Sequence, residues 1–375
     1  MAYHRIMAHA GRRWTRRGFL LTGLAAAGAA SEGRKPPALP TFPSDARRYS
    51  DPSTGLEVVR LTDPAFSSTL PAYYNRAIAN NGAYLLFACS RTGSPQVFRL
   101  DLKSAASQQL TGVEGLDGAT ITLTPDNRAF CYCAGRSVFH APFAGKEREL
   151  YRVPEGWERG HGAAVGPDGA DATLIETRAG VSRLRMVPLA AGAARTVIES
   201  AGAMSDPLPR PRRAQTLYRA GGQRLWLVNQ DGTQNRRLKL AAGGIAAALW
   251  SPDGRALLYL LYPEDRAQLH SIREHSPDTG LDKLVARTSQ FASFSANRDT
   301  SVFAGASENK ASPHVLLLLR VTGAERTLCE HRATDATAVC PIFSPDSQQL
   351  YFQSDRDGHP AIYTVHLDKL VEQTA

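Results

Sequence analysis

The residues of this chain that could do chemistry are its ten histidines, its five cysteines and a band of arginines in its middle. Imidazole titrates near neutral pH, so a histidine is the first candidate for a base or a metal ligand. His161 stands between Gly160 and Gly162 at the start of a strand-like run. It reads two ways: as a side chain aimed inward, or as a plain surface-turn histidine. His331 lies four residues before Asp335 and is a second candidate to reach the same place. His270, His275, His314, His359 and His366 read as edge or loop residues. Cys89, Cys131, Cys133, Cys329 and Cys340 are an odd number, and Cys131-Tyr132-Cys133 lacks the usual zinc spacing. They are expected to be buried small apolar residues. No nucleophile elbow, phosphate loop or convincingly spaced carboxylate pair is present.

The basic segment Arg210-x-Arg212-Arg213, followed by Arg219 and Arg224, offers guanidinium forks that match carboxylates. Tyr73, Tyr74, Arg76 and Trp250 add aromatic faces and one more charge, so Arg224 with these four is the expected ligand-binding set. The other reading of the arginine segment is a solvated loop that protects a sheet edge. More than half of the formal net charge of +9 comes from Arg5, Arg12, Arg13, Arg16 and Arg17 in the first thirty residues. The remainder is mildly basic, which suits an acidic small ligand or polymer. It lacks the dense Lys/Arg clustering with interleaved aromatics of a nucleic-acid binder.

Thr15-Arg16-Arg17-Gly18-Phe19-Leu20 opens a short apolar run that ends at Ala27-Gly28-Ala29. This pattern predicts a cleaved twin-arginine signal peptide over residues 1–30. A Pro-rich linker over 31–48 and one folded domain over 49–375 follow. The expected location is periplasmic or secreted, with no membrane span once the leader is removed.

The elements that must position these residues repeat. Ser251-Pro252-Asp253-Gly254 and Ser344-Pro345-Asp346-Ser347 each make a tight turn before an apolar strand. Related turns begin at Asn80, Thr124, Gly166, Pro211 and Asn297. Their spacing of roughly 40–47 residues is that of a four-stranded propeller blade, and seven such anchors predict seven blades. The fold class is therefore all-β, a seven-bladed β-propeller. The last unit supplies only three strands, and Leu56-Glu57-Val58-Val59-Arg60-Leu61-Thr62 is a spare strand near the start. It is expected to pair in the C-terminal blade and close the ring.

Several stretches carry a family resemblance: Asp51-Pro52-Ser53-Thr54-Gly55, Tyr73-Tyr74, Val153-Pro154-Glu155-Gly156-Trp157, Arg224 to Thr233, Trp250 to Gly254, and Pro341 to Tyr363. In order, they resemble the oligogalacturonate lyase family, and more distantly the propellers of Tol-system translocation proteins. The resemblance implies a seven-bladed propeller that cleaves pectin fragments by β-elimination. It implies a histidine base three residues before the Trp-x-Pro-Asp-Gly turn, an assisting arginine, and a manganese ion held by three histidines and a glutamine. In this sequence the base position falls on Ala247. The metal-ligand positions fall on Ala292, Asp335, Ala338 and Cys340, and the assisting arginine on Arg224. No metal cofactor is therefore expected. The leading expectation is a catalytically degenerate relative that binds acidic oligosaccharides such as oligogalacturonate. Two alternatives stay open. One is a working lyase with a displaced set, His161 or His331 with Asp335 and Cys340. The other is a Tol-like propeller with a protein partner.

Overall fold

The computed structural model describes residues 39–367, apart from Gln223 and Arg266. The twin-arginine leader falls outside the described residues. Seven antiparallel sheets of four or five strands form the chain from Thr41 onward. In five sheets the strand nearest the ring centre comes first in sequence; in the two five-stranded sheets it is preceded by outer strands from the N-terminal segment, Thr41–Phe42 in one and Arg47–Ser50 with Glu57–Arg60 in the other. The inner strands are Ser68–Thr69, Leu116–Leu123, Glu158–Val165, Met204–Pro209, Gly244–Trp250, Phe291–Ala296 and Ile342–Phe343. The one helical element among the described residues is a single 3-10 turn, Ala336–Ala338.

The repeated turns show why the sequence folds this way. In blade five the Ser251 hydroxyl donates to Asp253 Oδ1 (2.6 Å), and the Ala256 amide donates back to Ser251 Oγ (2.9 Å). The Arg255 amide donates to the same Asp253 carboxylate (3.0 Å). Thr124 and Asp126 in blade two, and Ser344 and Asp346 in blade seven, make the same bonds. Each turn thus satisfies its own polar groups before a strand begins. Gly254 has φ +70°, and a Cβ there would lie 2.0 Å from the Pro211 carbonyl oxygen, so only glycine lets this turn approach blade four.

Burial follows the same repeat. Seven hydrophobic clusters are found among the described residues, one in each gap between neighbouring blades. Every blade is therefore apolar on both faces, which explains runs such as Leu257–Tyr262 with no polar alternation. The cysteines contribute to this packing. All five are unpaired, four are buried, and burial pushes the thiols of Cys131 and Cys340 up to about 12.

The ring closes as the spare strand requires. Glu57–Arg60 pairs antiparallel with Ala361–His366, with Val58 opposite Val365 and Arg60 opposite Tyr363. Two further strands lie inside the segment read as linker or at its edge. Arg47–Ser50 pairs with Glu57–Arg60, and Thr41–Phe42 pairs with Ser107–Gln109 of blade one. Buried Asp51 secures the closure. One of its oxygens accepts from the amides of Ser53 and Thr54, and the other from the Glu330 amide of blade six (2.9 Å).

Candidate functional site at one mouth of the ring

The inner strands begin at one face of the ring and run to the Ser-Pro-Asp turns at the other. Chemistry placed at their first residues therefore converges on one mouth. Five of these strands lose register near the start: between Asp117 and Thr122, Arg159 and Ala163, Ser205 and Leu208, Ile245 and Ala247, and Phe291 and Ser293. Such bulges push a residue or two out of the ladder and re-aim their side chains.

In blade three the bulge is Gly160-His161-Gly162. A Cβ on Gly160 would lie 2.8 Å from Ile175 Cγ2. One on Gly162, at φ +87°, would lie 3.0 Å from both Asp206 Cα and the Tyr74 hydroxyl. Both flanking residues must be glycine for the strand to pack here, and His161 is turned outward, its side chain 75% exposed. In blade four the bulge holds Asp206 at φ +50°, a strained conformation for a non-glycine residue.

The two bulges meet. His161 Nδ1 lies 2.9 Å from Asp206 Oδ1. A carboxylate only accepts, so Nδ1 carries the hydrogen and donates it. Nε2 is then the free lone pair of the neutral ring, and no described residue engages it. The other Asp206 oxygen accepts from the Ser205 hydroxyl (2.9 Å) and lies 3.3 Å from Arg219 Nε. Arg219 reaches from blade four to blade five, where its guanidinium donates to the carbonyls of Ile245 (2.7 Å) and Ala246 (3.1 Å). On the other side Arg159 pairs with Asp117 of blade two (2.8 Å). The hydrogen bond to Asp206 raises the His161 pKa above its ordinary value, with further help from the Asp206 and Asp117 charges and opposition from Arg159 and burial. Burial pushes the Asp206 carboxyl up, but the bonds and charges of His161, Ser205 and Arg219 outweigh it and hold the group below the usual range.

Beneath this cluster the segment Pro71–Arg76 lies across the ring. Tyr73 accepts from the Ala248 amide (2.9 Å) and donates to its carbonyl (3.1 Å) in blade five. Asn75 donates to the carbonyls of Ala119 in blade two and Ala163 in blade three. Tyr73 and Tyr74 meet edge to face at 5.2 Å. Burial raises both phenol pKa values, with Asp206 adding to the rise at Tyr74. These rings form the floor of the mouth.

The sequence-derived candidates are not all brought together. Tyr73 and Tyr74 lie under His161. Arg76 points the other way, towards the Thr124 carbonyl at the turn face. Trp250 also sits at that end, buried, its indole donating to the Leu208 carbonyl (3.2 Å) and Arg210 stacked on it at 5.2 Å. Arg210 is itself buried and forms a bidentate pair with Asp278 (2.7 and 2.8 Å), so it holds blades four and five together, while Arg212 and Arg213 are exposed. Arg224 is exposed at the start of the third strand of blade four, two strands outward from the inner strand, in a pocket shared with Arg237, Glu264 and Ile245. Asp206 and the Arg159–Asp117 pair were not singled out from sequence, and Arg219 only as part of the basic segment. One signal was available: Asp117, His161 and Asp206 recur about one blade apart, Asp117 just before the bulge of its inner strand and the other two within theirs.

The opposite wall of the mouth holds the positions to which the sequence resemblance assigned the base, Ala247, and the metal ligands, Ala292, Asp335, Ala338 and Cys340. Ala247, Ala292 and Ala338 carry no donor atom. Asp335 caps the 3-10 turn, with Oδ1 accepting from the Thr337 amide (2.8 Å) and hydroxyl (2.7 Å). The Cys340 thiol faces the Pro71 carbonyl at 3.5 Å with its pKa pushed up. His331 is buried and committed at both nitrogens: Nδ1 accepts from the Ala333 amide (3.0 Å), and Nε2 donates to the Ser307 carbonyl (2.9 Å). It is therefore a structural, neutral imidazole, and burial lowers its pKa. Among the described residues no three His, Cys, Asp or Glu side chains could hold a metal ion. The residues present do not fit manganese.

Fold and site together define a seven-bladed propeller with a charged cluster at one mouth and a blocked floor beneath it. The oligogalacturonate lyase family model matches residues 41–178. An oligogalacturonide lyase of Pectobacterium atrosepticum is 27% identical, covering 84% of this chain and 94% of that protein. An oligogalacturonate lyase of Dickeya dadantii is 25% identical, covering 87% and 97%. A solved oligogalacturonate lyase in complex with manganese superposes with a TM-score of 0.84 at 24% identity, covering 89% of this chain and 99% of that one. The resemblance drawn from sequence therefore holds: this chain is similar to oligogalacturonate lyases along most of its length and shares their fold.

Proposed function

We propose that this protein binds short acidic oligosaccharides, uronate oligomers of the oligogalacturonate kind, at the His161 mouth of the ring, and that it does so without a resident metal. The observation that carries this reading is the cluster itself. Three cationic side chains (Arg159, protonated His161, Arg219) stand against two carboxylates, Asp117 and Asp206. They sit over an aromatic floor on a fold whose curated relatives act on such sugars. A uronate carboxylate finds an excess positive charge there when His161 is protonated, and sugar faces find Tyr73 and Tyr74. The manganese-dependent chemistry is lost with its donor set, since Ala247, Ala292 and Ala338 can neither ligate nor accept a proton.

Titration calorimetry of the full chain with trigalacturonate in excess EDTA tests this. Heat of binding is expected, and none with a neutral galactose trimer. Equal response to both sugars, or no heat with either at millimolar ligand, overturns the reading. The Arg16-Arg17 leader supports export in folded form. Fusing residues 1–40 to a reporter that crosses only the twin-arginine pathway checks it, and retention of the reporter in the cytoplasm contradicts it.

A further inference from the structure

We infer that the other end of the ring, the turn face, carries a second binding site, one that takes a small amphipathic carboxylate: an aromatic or branched apolar body bearing a single acid group. The inference is independent of the recognition reading above. It concerns the opposite face, other residues and another class of ligand.

The site lies where the inner strands end. A cavity of about 560 Å³ is lined by the last residues of the inner strands of blades five, six and seven and by Asn80 in the first turn of blade one. Four consecutive blades share it, so it is the opening of the central channel at this face and not a gap between two blades. Its wall is apolar. Leu249, Ala296 and Phe343 are half-buried along it, and Pro252 and Pro345 stand at the rim. A cavity of this size, mostly apolar with a few placed polar groups, has the dimensions and lining of a small-molecule site.

The charge in and beside this cavity is unbalanced. Arg298 is its one charged lining residue, is exposed, and pairs with no carboxylate among the described residues. Arg76 comes down from the segment that crosses the ring. Its guanidinium donates to the Thr124 carbonyl at 3.4 Å, and Asn80 donates to the next carbonyl, that of Pro125, at 3.1 Å. Arg76 therefore stands beside the Asn80 wall. A guanidinium has several N–H donors, and this one meets a single long acceptor and no carboxylate among the described residues. Burial lowers its pKa, with no acidic neighbour to offset the cost of holding the charge there. The ring pairs its other inner arginines. Arg159 has Asp117, Arg219 has Asp206, and Arg210 has Asp278. The aspartates nearest the cavity, Asp253, Asp299 and Asp346, accept from hydroxyls of their own turns and line no part of it. An acid group on an apolar body meets both needs at once: the guanidinium groups gain a counter-charge, and the body covers Leu249, Ala296 and Phe343. A uronate suits this cavity poorly, because its hydroxyls would face those side chains without partners. The same placement explains why Arg76 and Trp250 have the residue types of a ligand site and yet lie far from His161.

Titration calorimetry of the full chain with millimolar hydrocinnamate tests this, with the neutral amide of the same acid as control. Heat of binding is expected with the acid, and an affinity at least about tenfold weaker with the amide. Arg76→Met is expected to weaken the acid by about tenfold or more, with a thermal melt showing that the variant is folded. Arg298→Ala, an exposed change, is expected to weaken it by about two- to fivefold. Saturating trigalacturonate should leave the hydrocinnamate affinity unchanged, because the two sites lie on opposite faces. No heat with the acid, equal affinity for acid and amide, affinity that survives both substitutions, or displacement by trigalacturonate overturns the inference.

Discussion

Replacing Asp206 by Asn tests the site and the fold at once. Arg219 is 8% exposed and Asp206 24% exposed, so their pair is largely shielded from water. Removing one partner of a fully buried pair costs about 3–5 kcal/mol. The cost here is smaller, about 2 kcal/mol, because asparagine keeps an oxygen and Arg219 keeps the Ile245 and Ala246 carbonyls. For a ring this size that is a fall in melting temperature of about 3–5 °C. The pH dependence has a fixed sign. Asp206 is held below its ordinary range, so its contribution is present above the usual carboxylate pKa and is lost as pH falls through the folded value. His161 is held above its ordinary value. Its contribution is full below the usual imidazole pKa of about 6.5 and is lost as pH rises through the folded value. Because His161 is exposed, that second share is a few tenths of a kcal/mol. The groups facing it are Asp206, Asp117 and Arg159. Parent and variant should therefore differ most between about pH 4.5 and 6.5, and less at pH 8.5, where only the Arg219 share remains. Thermal unfolding of both proteins at pH 5.5 and 8.5 gives the answer. A difference that grows towards pH 8.5, or a variant as stable as the parent at both, refutes the reasoning.

Gly162→Ala places a Cβ 3.0 Å from Asp206 Cα and the Tyr74 hydroxyl at a positive φ. It should lower stability by about 1–2 kcal/mol, read from a urea midpoint, and shift the His161 ring resonances. Gly305→Ala puts its methyl 2.0 Å from the Phe291 ring in the gap between blades five and six. A loss of about 1–3 kcal/mol is expected, with partial recovery in the Gly305→Ala, Phe291→Leu double variant. Arg224→Ala should change stability by less than about 0.5 kcal/mol and leave trigalacturonate affinity within about twofold, because the side chain is exposed and two strands outward from the strand of Asp206. A larger loss of affinity in calorimetry would return Arg224 to the binding set.

The fold was legible because its information is local and repeated. A serine or threonine that bonds to an aspartate two residues on, and receives an amide three residues later, writes the same turn in blades two, five and seven. The apolar runs between turns could only be strands buried on both faces. The spare strand at Glu57–Arg60 was legible by subtraction, since the last blade lacked a member. Thr41–Phe42 and Arg47–Ser50 were not, because a two-residue strand and a strand with two arginines carry no pattern above that of a loop. The site was legible only in part. His161 between two glycines announced an unusual backbone, but its partner lies 45 residues away in the next blade, joined by ring geometry alone. Asp206 before Pro207 reads as an ordinary turn until the bulge gives it a positive φ. Arg224 and Trp250 looked close to the chemistry because aromatic and cationic residues suit sugars. The strand direction instead carries Trp250 to the far face, where it packs on Arg210.

The most direct test of the account is a crystal of this protein soaked with trigalacturonate and manganese, with anomalous scattering used to find the ion. The account predicts sugar beside His161, Arg159 and Arg219 over the Tyr73–Tyr74 floor, and no manganese at Ala292, Asp335, Ala338 and Cys340. An ion held there by three or more protein donors, with the sugar carboxylate on it, would contradict the account.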